Sequence, residues 1–401
     1  MVKKNKFSCF IRLVAVLYFS ATVALASSNK LAFVKGEKIA LGMTTSLSGP
    51  SRDLGLSMVA GIQAYFDQVN QQGGINGQLL DLMVLDDGYQ PLSALKNTQS
   101  LILENNIIAM IGNVGTPTAA LTEPYCNSMK VTFFAPYTGA DILRKLPPAA
   151  YTFNYRASYR DEMEVIIEYI FNQGIEPDNI VFFIQDDGYG LAGLTAARKA
   201  LYKRGFNNWQ ALNILRYSRN TNDISAALTA LLELSFKPKA IVLVAAYGAS
   251  AKFINYSHYQ FPKTLYFNLS FVGAHTLYQQ LMVDTRNIYI TQVVPPVNSD
   301  IALNKELKAL LIKKKQSHLF NSLSLEGYIA AKLLVQALKR IQGEITSASL
   351  KQVLEYSGSF DIGLGSKLFF NKEKHQASDK VWLLQHSKDS GFSLLNEVDG
   401  Q

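Results

Sequence analysis

The chain has 401 residues, of which 48% are hydrophobic, so it is long enough to build a sizeable buried core and about two domains. Its formal net charge of +8 is a small excess for this length, and no basic patch is interleaved with aromatic residues. These features exclude nucleic acid as an expected partner and favour a globular protein.

The N-terminus has the pattern of a secretory signal peptide. Four basic residues lie within the first twelve positions, an apolar run follows, and the run ends in Ala24-Leu25-Ala26. We expect residues 1–26 to be removed and the protein to be periplasmic; an N-terminal membrane anchor is the alternative. No later segment has the roughly 18 apolar residues that a membrane span needs. Cys126 is the one cysteine of the mature chain, so no internal disulfide is expected.

The mature chain alternates short apolar runs with segments whose apolar residues keep helical spacing, which predicts parallel sheets with helices on both faces. In the first part, the sequence predicts strands over 38–45, 79–86, 107–112 and 131–136 and helices over 55–71, 92–104 and 117–129. In the second part, it predicts helices over 160–173, 190–204, 223–234 and 248–259 and strands over 179–185, 209–217, 240–246, 264–270 and 287–294. Helices over 302–315, 324–342 and 348–355 and strands near 367–370 and 379–385 close the chain.

This order predicts an α/β protein with two doubly wound lobes of about 150 residues each. No low-complexity linker separates the lobes, so we expect several segments to cross between them. The stretches "LDDGYQ" (85–90) and "QDDGYG" (185–190) are alike, and each follows a strand. The similarity is equally consistent with two unrelated Asp-Gly turns.

The loop "GTPTAAL" (115–121) lies where α/β proteins hold a ligand, between a strand and a helix. Thr116 is a good N-cap, Pro117 suits the first helical position, and Thr118 follows in the first turn. Gly115 lets the backbone come close to a ligand. Free N–H groups and the helix dipole favour an anion, and the missing P-loop lysine favours a small carboxylate over a nucleotide. The alternative is that Thr116 only caps its helix.

Further candidate ligand-binding residues lie at the carboxyl ends of other predicted strands, where doubly wound sheets bind ligands. Aromatic residues with polar tips can cover an apolar ligand and still form hydrogen bonds, although each one alone is also consistent with packing. The candidates are Tyr137, Thr138 and Gly139 after strand 131–136, Asp187 and Tyr189 after strand 179–185, Tyr247 after strand 240–246, and Ser270 and Phe271 at the end of strand 264–270.

The segment "TTSLSGPSRDLGLSMVAGIQAYFDQVNQQGGINGQLLDLMVLDDGYQP" (44–91) resembles the start of the leucine/isoleucine/valine-binding protein family. These proteins are periplasmic solute-binding proteins of ABC transporters. The S-G-P loop, the I-N-G turn and the Asp-Asp pair after the second strand carry the resemblance. It extends over essentially the whole mature chain through the motifs "RASYRDE" (156–162), "FIQDDGYGLAGL" (183–194), "NLSFVGA" (268–274), "TQVVP" (291–295) and "SLEGYIAAKLL" (324–334).

The resemblance implies a type I periplasmic binding protein, with two Rossmann-like lobes joined by three crossover strands and a ligand cleft between them. On this basis we expect lobe I to comprise 37–155 and 290–357, and lobe II to comprise 156–289 and 358–399. In that family, lobe I takes the ligand's carboxylate, here through Thr116 and the loop at 137–139. On lobe II, Tyr189 and Tyr247 match tyrosines of the family.

One motif departs from the amino-acid binders of the family. Those proteins use an acidic residue of the second lobe for the ammonium group, whereas this chain has "NLSF" near that place. Ser270 and Phe271 supply no charge, and Asp187 is the candidate substitute. The expected ligand is therefore a small amino-acid-like compound, an amide or a carboxylate.

The expected function is capture of this ligand by lobe closure and its delivery to the membrane permease of an ABC transporter, without a cofactor or a metal. A ligand-sensing module for a receptor or kinase is the alternative, because the same fold serves both tasks. An enzyme is disfavoured. The five histidines lack metal-ligand spacing, and the chain has no H-E-x-x-H or G-x-S-x-G motif.

Overall fold

The computed structural model describes residues 38–387 and 391–395. The predicted signal peptide lies outside these residues, as does the end of the predicted lobe II beyond residue 395. Within the described part of the chain, no helix combines the length and the apolar character that a membrane crossing requires. Cys126 is a buried free thiol.

Strands and helices alternate along most of the described chain. The strands are β1 (Lys38–Thr45), β2 (Leu79–Asp86), β3 (Ala109–Ile111), β4 (Thr132–Phe134), β5 (Thr152–Phe153), β6 (Ile180–Gln185), β7 (Asn213–Tyr217), β8 (Ala240–Val244), β9 (Leu265–Asn268), β10 (Ile288–Gln292), β11 (Ser359–Phe360), β12 (Leu368–Phe369), β13 (Trp382–Ser387) and β14 (Gly391–Leu394). The helices are α1 (Arg52–Gln71), α2 (Pro91–Leu103), α3 (Thr116–Ser128), α4 (Tyr159–Asn172), α5 (Gly188–Tyr202), α6 (Ser225–Leu232), α7 (Tyr247–Gln260), α8 (Ala274–Tyr278), α9 (Ala302–Lys313), α10 (Ser322–Lys339) and α11 (Ser347–Tyr356).

The first sheet has the strand order β2-β1-β3-β4-β5, and every adjacent pair is parallel. Strands β3 and β4 are buried at every position, as expected for strands that helices cover on both faces. Helices α1 to α3 and α9 to α11 belong to this lobe. The predicted parallel sheet of lobe I is confirmed.

The second sheet has the order β14-β13-β10-β9-β8-β6-β7. Its strands are parallel from β7 to β10, whereas β13 runs antiparallel to β10 and β14 antiparallel to β13. Helices α4 to α8 belong to this lobe. Strands β6 and β8 are completely buried, which explains their continuous apolar sequences.

The chain crosses between the sheets along 154–158, 293–301 and 370–381. The first and third crossings lie side by side, because Asn154 N–H donates to His375 O at 2.7 Å. The expected lobe boundary at 289/290 falls inside β10, which pairs with β9 and β13, so the second sheet continues past that boundary. The β11–β12 hairpin follows the boundary at 357/358, but the adjoining Phe370 packs on Phe153 of the first sheet at 5.5 Å.

Helices α1 and α10 pack with their backbones in close contact. A Cβ atom at Gly61 on α1 would lie 1.9 Å from the carbonyl oxygen of Ser324, and one at Gly327 on α10 would lie 2.4 Å from that of Met58. Only glycine fits at these two positions, because any side chain would overlap the neighbouring backbone.

Candidate functional site

The two Asp-Asp-Gly-Tyr stretches form the same aspartate-to-tyrosine hydrogen bond in the two lobes. The N–H of Tyr89 donates to Asp87 Oδ1 at 2.8 Å, and the N–H of Tyr189 donates to Asp187 Oδ1 at 2.8 Å. Each aspartate therefore closes an Asx turn that positions a tyrosine two residues later. The resemblance between these stretches in the sequence has a common structural basis.

Both tyrosines reach Phe271, which lies at the contact between the lobes. The ring centroid of Phe271 is 6.3 Å from that of Tyr89, 5.4 Å from that of Tyr137 and 4.5 Å from that of Tyr189. The Tyr137 hydroxyl also donates to Ser270 O at 3.0 Å. All four rings are buried. They form an aromatic cluster to which lobe I contributes two rings and lobe II contributes two.

The two predicted loops of lobe I meet beside this cluster. The hydroxyl oxygens of Thr116 and Thr138 are 2.6 Å apart and share a hydrogen bond. Thr138 Oγ1 also lies 3.4 Å from the Tyr159 hydroxyl. Gly139 O accepts the N–H of Tyr159 at 2.8 Å, and a Cβ atom at Gly139 would overlap Tyr159. Thr116, Thr138 and Gly139 are therefore brought together, as strand-end positions of neighbouring parallel strands should be.

The prediction that Thr116 is the N-cap of its helix is wrong. Helix α3 begins at Thr116, and the N-cap is Gly115, whose φ of 109° is in the region that glycine alone adopts readily. The Thr116 hydroxyl is thereby free to bond Thr138. The side chain of Thr118 bonds to the loop that precedes the helix: its hydroxyl donates to Val114 O at 2.6 Å and to Gly115 O at 3.0 Å.

A buried ion network lies next to the aromatic cluster. Arg156, in the first crossing, is fully buried, and its guanidinium carbon lies 4.5 Å above the ring centroid of Tyr137. Its Nη2 donates to Ser270 Oγ and lies 3.8 Å from Glu162 Oε1, while its Nε lies 3.6 Å from Glu326 Oε1. Ser270 therefore contacts a cation that the sequence analysis did not anticipate.

Burial and the neighbouring charges shift the pKa values of these groups. Burial raises the pKa of Glu326 to about 7, although Arg156 opposes the shift. Burial alone would lower the pKa of Arg156, but Glu326 and its other anionic neighbours raise it, so this arginine stays charged. Burial raises the pKa of Asp87 to about 6 and also raises that of Asp187.

Two of the predicted residues form bonds at the rim of the lobe contact. The Tyr247 hydroxyl donates to Asp53 Oδ2 of lobe I at 3.0 Å. Asp187 is the N-cap of α5, and its Oδ2 lies 3.8 Å from Arg219 Nε. Arg219 in turn donates to Tyr89 O at 2.7 Å, so it connects the tyrosine turns of the two lobes.

Several buried polar atoms near the lobe contact have no hydrogen-bond partner among the described residues. They include the Tyr89 and Tyr189 hydroxyls, Arg156 Nε and Nη1, and both side-chain polar atoms of Asn113, a residue just after β3. Buried polar groups are almost always paired, so this set makes the lobe contact a candidate binding site. The described residues contain no cluster of three side chains able to hold a metal ion.

Residues 38–391 match the protein family described as periplasmic binding protein. The chain belongs to the periplasmic binding protein family. The fold, with two lobes joined by three crossings, is that of its type I members, and these are binding proteins rather than enzymes.

Relatives of this periplasmic binding protein agree with the assignment. A "possible leucine/isoleucine/valine-binding protein" from Rhodopirellula baltica SH 1 is 35% identical, with a TM-score of 0.86 over 92% of this chain and 98% of that chain. The Leu/Ile/Val-binding protein homolog 7 of Brucella abortus (strain 2308) is 23% identical over 85% of this chain and 87% of its own length. A branched-chain amino acid ABC transporter protein from Thermus thermophilus, crystallised with bound valine, shares the fold with a TM-score of 0.76 over 90% of this chain and 96% of that chain, at 17% identity.

Four further residues at the lobe contact of this periplasmic binding protein were not predicted from the sequence: Tyr89, Arg156, Glu162 and Arg219. Tyr89 had a usable signal, because its turn repeats the turn before Tyr189. The motif "RASYRDE" contains Arg156 and Glu162, but nothing local indicates that they meet Ser270, more than a hundred positions away. Arg219 lies in a loop without a distinguishing pattern.

Proposed function

We propose that the protein is the solute-binding component of an ABC transporter, exported to the periplasm, which captures a small amino-acid-like, amide or carboxylate ligand and delivers it to a membrane permease. The observation that carries the proposal is the set of unpaired buried polar atoms where the two lobes meet. The names of the Brucella relative and of the valine-bound Thermus protein support a small solute of this kind.

The ligand binds first to lobe I, at the paired hydroxyls of Thr116 and Thr138 and the N-terminus of α3, whose N–H groups favour a carboxylate. Lobe II then rotates about the crossings and brings Tyr189 and Phe271 onto the ligand. Closure also forms the rim bond between Tyr247 and Asp53. The ligand stabilises the closed form by its higher affinity for that form, and the permease recognises the closed form.

A thermal-shift screen of amino acids, amides and small carboxylates tests the proposal, because a ligand that binds the native state raises the melting temperature. The protein is first unfolded and refolded to remove any ligand that copurifies. Small-angle scattering of each hit should then give a smaller radius of gyration at saturation. A screen without hits, or a radius that does not change at saturation, contradicts the proposal.

Thr116→Ala tests the anchoring step. We expect the binding free energy of the ligand to weaken by roughly 1–3 kcal/mol, because a buried polar group of the ligand loses the Thr116 hydroxyl as its hydrogen-bond partner. Thr122→Ala is the matched control, since Thr122 is buried on the same helix and its hydroxyl donates only to Thr118 O at 3.1 Å. Calorimetry that finds full affinity in Thr116→Ala, or an equal loss in both variants, removes Thr116 from the site.

A further inference from the structure

We infer that the cleft selects a ligand that carries a carboxylate and an apolar or aromatic body but no ammonium group. The inference rests on the proposed function and narrows the ligand class within it. It follows from which charged groups near the lobe contact are already paired and which donors remain unpaired.

Glu162 is the acidic group that lies directly behind Ser270, and its hydrogen-bonding capacity is used. It accepts the Ser270 N–H at 2.8 Å, the Ser270 hydroxyl at 2.9 Å and the Thr291 hydroxyl, and Arg156 Nη2 lies 3.8 Å away. A carboxylate has about four lone-pair sites, so these three hydrogen bonds and the facing guanidinium use most of its capacity. Glu162 orders the strand end, and an ammonium group would have to compete with these partners.

Asp187, the candidate substitute, is also occupied. Its carboxylate accepts the N–H groups of Tyr189 and Gly190 at the start of α5. Its other oxygen accepts the Gln185 amide at 2.6 Å and faces Arg219. An ammonium group could bind there only in competition with the helix cap at Oδ1 or with Gln185 and Arg219 at Oδ2.

Two acids of lobe I near the lobe contact also have partners. Asp87 accepts the Tyr89 N–H at 2.8 Å and the Thr44 hydroxyl at 3.0 Å. Asp53 accepts the Tyr247 hydroxyl at the rim. These contacts use the carboxylates to hold turns and to join the lobes.

Glu326 faces Arg156 across 3.6 Å, and the half-buried Arg144 lies near both groups. Arg156 faces both Glu162 and Glu326, and Arg144 also interacts with Asp161 and Asp141, so each carboxyl group here already faces an arginine. Protonation of Glu326 near neutral pH makes the cluster more positive. An ammonium group placed here would also be repelled by Arg156.

The unpaired groups are mainly hydrogen-bond donors. Arg156 Nη1 is a buried cationic donor without a partner among the described residues, and the Tyr189 hydroxyl is a buried neutral one. The side chain of Asn113 adds an unpaired amide N–H₂ and an oxygen that can accept a ligand hydroxyl. A carboxylate satisfies such donors, and the aromatic cluster around Phe271 covers an apolar or aromatic body.

A matched ligand series tests the inference by calorimetry on the refolded protein. It compares 4-methylpentanoate, leucine, 3-methylbutylamine and 4-methylpentanamide, and the phenyl counterparts 3-phenylpropanoate, phenylalanine, 2-phenylethylamine and 3-phenylpropanamide. We expect the acid of at least one body to bind about tenfold or more tightly than the matching amino acid, and the amines not to bind.

The outcomes separate this inference from the proposed function. An amino acid that binds as tightly as its matching acid overturns the inference and leaves the proposed function standing. A hit from the broader screen that lacks a carboxylate does the same. A broader screen without any hit overturns the proposed function itself.

Tyr189→Phe and Tyr217→Phe give a second, independent test. The Tyr217 hydroxyl donates to Gln185 Oε1 and accepts the Ala246 N–H, each at 2.8 Å, so its loss should lower the melting temperature of the ligand-free protein. The Tyr189 hydroxyl has no such partner among the described residues, so Tyr189→Phe should leave that temperature unchanged and weaken binding of the acid about threefold or more. A lower melting temperature in Tyr189→Phe, or full affinity for the acid, contradicts its role as a ligand donor.

Discussion

The turns that carry Tyr89 and Tyr189 present their rings to the same phenylalanine but are held in different ways. The lobe II turn leads directly into α5, and Asp187 caps that helix. In the lobe I turn, Gly88 and Tyr89 have φ values of 54° and 60°. The carbonyl oxygens of both residues accept hydrogen bonds from lobe II, from Asn220 at 3.1 Å and Arg219 at 2.7 Å.

If the lobes close as proposed, the lobe II turn is the preformed half of the site and the lobe I turn is the half that closure completes. The turn of Tyr189 is fixed by its own helix, whereas the carbonyl groups of Gly88 and Tyr89 receive hydrogen bonds from the other lobe. Arg219 touches both turns, so it links the fixed half to the completed half. Four experiments test this contrast.

Gly115→Ala should have the largest effect, because it displaces the ring of Tyr89. A Cβ atom at Gly115 would lie 2.4 Å from Tyr89 Cε2, at a φ of 109°. We expect a loss of unfolding free energy of about 2–4 kcal/mol from positive φ and overpacking together. Gly77→Ala is the control: its φ is 84° but nothing lies within 4 Å, so it should lose only about 1–2 kcal/mol. Equal losses in urea titrations would show that Tyr89 is not crowded.

Asp87→Asn tests the charge in the lobe I turn. Because the folded-state pKa of Asp87 is raised to about 6, the folded protein binds more protons than the unfolded chain above the unfolded pKa. This contribution to stability is full below the unfolded pKa and is lost as pH rises through about 6, by roughly 2–3 kcal/mol in total. Urea titrations should show that the unfolding free energy decreases less between about pH 4 and about pH 8 in Asp87→Asn than in the unmodified protein, because asparagine is neutral at both pH values. An unchanged decrease would mean that another group causes it.

Arg219→Ala should weaken ligand binding by about 1–2 kcal/mol, because the closed form loses its hydrogen bonds to the lobe I turn. Arg216→Ala is the control, since Arg216 pairs with Asp186 within lobe II and both side chains are exposed. That surface pair should matter little to affinity. Calorimetry and scattering should agree that Arg219→Ala shifts the free protein towards the open form. Equal affinity in the two variants would contradict the linking role.

Tyr247→Phe should have the smallest effect, a loss of affinity of about 0.5–1 kcal/mol, because it removes one partly exposed hydrogen bond at the rim. The ring remains, so packing is preserved. Calorimetry at one temperature is sufficient to measure the change. A tenfold or larger loss would place Tyr247 against the ligand instead of the rim.

The sequence predicted the bounds of the long strands well and located some of the short strands, but it missed others. Strands β1 and β2 have the predicted bounds, because eight residues are enough to show a hydrophobic pattern. Strands β5 and β11 have two residues each, which show no period, and both were missed. Strand β7 begins at Asn213 because Trp209–Ala211 forms a 3-10 turn.

For the candidate site, the positions of residues at the strand ends could be predicted from the sheet topology, whereas the hydrogen bonds and ion pairs between side chains could not. One rule, that parallel strands end at a common edge of the sheet, predicted the positions of Thr116, Thr138, Tyr189 and Phe271. Their roles towards a ligand stay predictions. The N-cap error at Thr116 arose because propensity favours threonine, whereas the loop needs the positive φ of Gly115. The ion network around Arg156 depends on contacts across the fold that no local pattern records.

The close contact of α1 and α10 at Gly61 and Gly327 has a mechanical consequence. Because the backbones of the two helices touch at these two points, the helices cannot approach further there, and we expect this layer of lobe I to move as one unit. If the lobes close on a solute as proposed, the change in backbone conformation should therefore be concentrated in the three crossings between the sheets. Substitutions in the strand-end loops should then alter which solute binds without altering this motion.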